Sequence, residues 1–135
     1  MIKALRVTVA GDTPYENVTI YDRHDDQSSL GVPDWFEDAQ MVITCKDGVF
    51  VLPDYNVITI HMKKGRMRPP EGSIRVKWIM LSFDVGYGDC HIVPKDKWEG
   101  LGIPQFFRDF EQLVFIAREG LFITSDYNVR LIRYA

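Results

Sequence analysis

Most of the usual signatures of activity are missing from this chain of 135 residues. No G-x-S-x-G, H-E-x-x-H, C-x-x-C or Walker pattern occurs, so no serine, cysteine or threonine stands in a recognised nucleophile or phosphate-cradle motif. No run approaches 18 apolar residues, which excludes a predicted transmembrane helix. There is no low-complexity stretch, and 8 Phe, 6 Tyr and 3 Trp argue against disorder. The net charge of −3 is too small to point to nucleic acid or to a membrane surface. Cysteine is scarce: Cys45 and Cys90 are the two present, and both read as buried free thiols.

The opening residues Met1 to Val7 scatter charge among apolar positions, unlike the separated layout of a signal peptide. A cytoplasmic protein is therefore expected, with no cofactor and no metal. The acidic run Asp22, His24, Asp25 and Asp26 lacks a calcium-loop spacing and reads as a solvated loop.

What the chain does contain is a repetition. Asp47-Gly48-Val49-Phe50 through Asp54-Tyr55-Asn56-Val57 returns as Glu119-Gly120-Leu121-Phe122 through Asp126-Tyr127-Asn128-Val129, 72 positions later (120 − 48). Leu30-Gly31-Val32-Pro33 returns as Leu101-Gly102-Ile103-Pro104, 71 positions later (102 − 31). Such self-similarity predicts a tandem duplication of one unit of about 60 residues. The first repeat spans 1–62, a basic Pro/Gly linker 63–73, and the second repeat 74–135.

Each unit reads as β-β-(short helix)-β-β-β, giving a mainly β or α+β fold. The strands are expected at 2–9, 17–21, 41–45, 49–52 and 57–62, and again at 74–83, 89–93, 113–117, 121–124 and 129–134. Gly11 to Pro14 and Asp84 to Gly88 read as turns. The short helices are expected at 34–39 and 105–112, behind Pro33 and Pro104. The apolar run Trp78-Ile79-Met80-Leu81 suggests a strand covered on both faces. Five strands in so few residues make a small antiparallel barrel or half-sandwich. Two of these are expected to pack about a pseudo-two-fold axis, as separate barrels or as one shared sheet.

The best expectation for function is a non-catalytic binding protein of the inhibitor or adaptor type. Its partner would be a protein first and a small anionic ligand second, met by loops near the junction of the repeats. Neither nucleic acid nor membrane is expected. The candidate binding residues are Tyr55, Asn56, Tyr127 and Asn128 of the repeated Asp-Tyr-Asn turns, the unrepeated loop residue Trp98, the linker cations Lys63, Lys64, Arg66 and Arg68, and His91. Arg130 and Arg133 are candidates to join the cations. One alternative is a small enzyme using His91 as a base oriented by Asp84 or Asp89. Another is a structural subunit that self-associates, a homo-oligomer built through the unprotected closing strand Arg130 to Ala135.

Overall fold

The computed structural model describes residues 1–10, 13–21, 30, 41–52, 57–82, 85–103 and 112–134. The predicted short helices at 34–39 and 105–112 lie outside these residues, except for Gln112, which begins a strand instead. The chain is mainly β. Among the described residues there are ten strands: β1 (Ile2–Val9), β2 (Thr13–Tyr21), β3 (Met41–Cys45), β4 (Gly48–Leu52), β5 (Val57–Lys64), β6 (Ile74–Leu81), β7 (Gly86–Ile92), β8 (Gln112–Ala117), β9 (Gly120–Ser125) and β10 (Val129–Tyr134). Among the described residues no helix is long and apolar enough to cross a membrane.

All ten strands join one antiparallel sheet in the order β10-β6-β7-β8-β9-β5-β1-β2-β3-β4. The sheet is open, with β10 and β4 at its edges. Of the arrangements expected, separate barrels or one shared sheet, the strands form one sheet that is not closed, and the reason is local. Closing the first five strands on themselves would pair β5 with β4, but β5 pairs with β9 instead.

Strand order and register recur between the halves. Within each half the fifth strand lies beside the first, followed by the second, third and fourth. Ala4 faces Val18 as Val76 faces Cys90. Thr19 faces Thr44 as His91 faces Ile116. Phe50 faces Ile43 as Phe122 faces Phe115. Irregularities recur as well. Asn17 and Asp89 hold positive φ values of 52° and 51°, a region that Asn and Asp tolerate best. Gly48 and Gly120 open β4 and β9 at φ 131° and 139°.

Two apolar cores lie on opposite faces of the sheet. One gathers Val7, Val18, Ile20, Ile43 and Ile60 of the first half against Val114, Ile116, Leu121 and Ile123 of β8 and β9. The other gathers Val76, Ile79, Leu81 and Cys90 against Phe115 and Phe122 from the reverse face of the same two strands. β9 is therefore buried at every position. The strand expected to be covered on both faces, β6, buries only one: Trp78 on its outer face is partly exposed. The Gly86-Tyr87-Gly88 turn is also revised. These residues belong to β7, because the indole of Trp78 lies across the strand and a Cβ at Gly86 would collide with it. Likewise Thr13 and Pro14 extend β2 where a turn is expected, paired with Val9 and Thr8.

Candidate functional site

The linker is not a free connector. Lys63 and Lys64 continue β5, and the Gly65 N–H donates to the Glu119 carbonyl at 3.0 Å. Gly65 takes a positive φ of 88° and redirects the chain. Met67 then packs against the first core. Ser73 closes the segment, its N–H and its hydroxyl both donating to the Pro70 carbonyl at 3.1 and 2.7 Å. Anchored at both ends, residues 66–69 form one wall of a cleft of about 520 Å³.

The other walls come from neighbouring strands. Arg75 on β6 faces His91 on β7, and His91 faces Ile116 on β8, so the three share one side of the sheet. Asp89, two residues before His91, joins them. Arg118 enters from the turn between β8 and β9. Arg66, Arg68, Arg75 and Arg118 thus line the cleft together with one acidic residue, Asp89. Among the described residues no ion pair engages any of these arginines; the exposed Arg6–Glu16 pair at 2.7 Å lies elsewhere. Guanidinium forks present planar, paired N–H donors that match carboxylate and phosphate oxygens.

Of the residues singled out by sequence, Arg66, Arg68 and His91 are brought together here. Lys63 and Lys64 are separated from them, and Lys64 lines a different hollow beside Arg6, Glu16 and Glu119. Arg130 and Arg133 lie on the edge strand β10 and line no part of the cleft. Tyr127 is 76% exposed at the surface. Asn128 is buried and its amide is committed: Nδ2 donates to the Val57 carbonyl at 2.8 Å, and Oδ1 accepts from the Ser82 hydroxyl at 3.1 Å. It holds the turn before β10 against the start of β5. Trp98 is 1% exposed, deep in the first core, with Nε1 donating to the Val93 carbonyl at 3.2 Å. Its place between two short 3-10 turns put it in a loop by sequence, but its indole packs inward. Tyr55, Asn56 and Asp84 lie outside the described residues, as does the acidic run 22–26.

Arg75, Arg118 and Met67 were not foreseen. Arg75 is legible only once β6 and β7 are paired in the correct register, and reading Gly86 to Gly88 as a turn hides that register. Cys90 and Tyr87 belong to the second core rather than to the cleft. Burial first, and the nearby charges of Glu119 and Asp89 second, push the Cys90 thiol up to about 12. Burial and then Glu119 also raise Tyr87 above its ordinary value, while Arg6 opposes them. Both cysteines are free, and among the described residues no three His, Cys, Asp or Glu side chains gather as a metal site.

Compared with protein-family models, with curated proteins and with solved structures, the chain matches none.

Proposed function

We propose that this chain is a non-catalytic binding protein whose arginine cleft receives an anionic group, in the first place the carboxylates of an acidic segment on a protein partner. One observation supports this reading: four arginines line a cleft whose lining includes a single acidic residue, Asp89. Concentrating like charge costs free energy unless an anion completes it. The wall that brings Arg66 and Arg68 into place is anchored, so less ordering is lost when a ligand enters. The presence of His91 and Asp89 in the same cleft is compatible with proton transfer, but among the described residues no Ser, Thr, Cys or Lys lines it with them. A cytoplasmic setting fits the two free thiols.

The recurrence of strand order, register and positive-φ positions supports descent from a duplicated unit. On that view the cleft is a later acquisition of one copy. The positions equivalent to Arg75, Asp89, His91 and Arg118 hold Lys3, Asn17, Thr19 and Lys46.

The test is titration of the chain with a glutamate-rich peptide and, separately, with inorganic phosphate, by calorimetry at rising salt. Binding of the peptide that weakens steeply with salt and is lost in Arg66→Ala/Arg68→Ala supports the proposal. Tight phosphate binding without peptide binding would reassign the cleft to a small anion. Salt-independent binding, or none to either probe, would end the reading.

A further inference from the structure

We infer that a second copy of this chain docks on the open sheet, its β4 pairing with β10 of the first copy. The inference is independent of the arginine cleft. It rests on the junction already present inside the molecule, where β9 pairs with β5. The strand β4 repeats β9 in position and register, and β10 repeats β5. The two free edges are therefore the two halves of an interface that the chain has made once.

That internal junction is closely built. Ile60 faces Ile123, and His61 faces Phe122 with the rings stacked at 4.3 Å. Thr124 Oγ1 donates to the Ile58 carbonyl at 2.6 Å. Gly120 lies so close to the Lys63 carbonyl that a Cβ there would collide with it. The same position on the free edge, Gly48, has open space around it.

Burial differs in the way a missing partner would leave it. Leu121 is fully buried, whereas its counterpart Val49 is 46% exposed. Thr59 is buried, whereas its counterpart on β10 is Leu131, an apolar residue 54% exposed. An unpaired strand that carries exposed apolar side chains and free backbone groups is a template for strand addition. Copying the internal register would place Ile132 opposite Val51, and Arg133 opposite Phe50 in the role of His61 against Phe122.

The junction is heterologous, since different edges meet. Each added copy offers a new β10 or β4 edge, and the assembly extends or closes into a ring. In both cases it is a sheet continued from chain to chain.

Light scattering across a concentration series tests this on the full chain. The wild type is expected to exceed the single-chain mass of 15.6 kDa as concentration rises. Leu131→Lys blocks one edge and Val49→Lys the other; both sites are exposed, so each variant keeps the fold, checked by circular dichroism. Each alone should stay at the single-chain mass. Their equimolar mixture should form a one-to-one dimer and nothing larger, because each retains the edge that the other lacks. A wild type that remains at one chain at every concentration overturns the inference. So does a mixture that fails to pair, or a single variant that still assembles as the wild type does. Peptide binding at the cleft should be unchanged in both variants, which separates this outcome from that of the proposed function.

Discussion

The middle of the sheet and its two ends are built from equivalent strands, yet they have different fates. At the middle, β9 is sealed between two cores and pinned to β5. At the end, β4 carries equivalent residues in equivalent register, and among the described residues no strand pairs beyond it. Phe122 packs on His61, Tyr87 and Phe115, whereas Phe50 finds Tyr15. Strand register thus recurs in the two halves, while burial follows from which neighbour a strand acquires. The same separation holds for chemistry. The hollow in the first half, beside Lys3, Asn17 and Thr19, is lined by no arginine among the described residues and has a volume of about 370 Å³. Its counterpart is the arginine cleft of about 520 Å³.

The largest effect expected from this asymmetry is in stability. Phe122→Ala removes a buried ring shared by both sides of the junction and should cost about 3–5 kcal/mol. Phe50→Ala, half-buried at an edge, should cost clearly less. Urea denaturation of the two variants decides it, and equal losses would mean that middle and edge are not energetically distinct.

A glycine pair sharpens the same contrast. Alanine at Gly48 or Gly120 meets a similar backbone strain, on the order of 1–3 kcal/mol. At Gly120 it also collides with the Lys63 carbonyl, adding about 1–3 kcal/mol of overpacking. Gly120→Ala should therefore unfold at markedly lower urea than Gly48→Ala. A Gly48→Ala variant as damaged as Gly120→Ala would show that the free edge is already covered in solution.

Much of the architecture was legible in the sequence. The strands at 2–9, 41–45 and 129–134 appear where the sequence reading places them, in short segments rich in β-branched and other apolar residues. What sequence could not supply was the pairing of β5 with β9. Nothing in a strand states which edge it will meet when two units offer equivalent ones. The cleft was half legible for the same reason. Arg66, Arg68 and His91 stood out as residue types, but Arg75 and Arg118 reach them only through the β6–β7–β8 pairing. Trp98 has two readings in sequence, partner contact or loop-to-core packing, and its indole hydrogen bond to Val93 lets it sit in the core.

The cleft gives a smaller effect, confined to binding. Arg118→Ala should weaken capture of an acidic peptide about tenfold, as expected for loss of a charge-assisted hydrogen bond worth about 1.5 kcal/mol or more. Lys46→Ala, at the equivalent turn of the first half, should leave affinity unchanged. Equal losses from both would point to diffuse attraction by surface charge rather than to the cleft.

The thiols offer the mildest contrast. Cys45 is partly exposed, while Cys90 is buried with its thiol pushed up to about 12. A disulfide reagent at pH 8 should modify one thiol in the native state and the second only on unfolding. The pH dependence has a definite sign. In the unfolded chain Cys90 ionises near its ordinary value of 9.0; in the folded chain it stays protonated until about 12. The unfolded state thus releases a proton over this interval that the folded state retains, so stability is complete below pH 9 and falls as pH rises toward 12. Tyr87, also raised from its ordinary 10.0, adds a decline in the same direction beginning at higher pH. Cys90→Val installs the residue found at the equivalent position, Val18, and should flatten the lower part of that decline while leaving the tyrosine part. If urea midpoints for the wild type and Cys90→Val run parallel from pH 8.5 to 11, burial is not what keeps this thiol neutral.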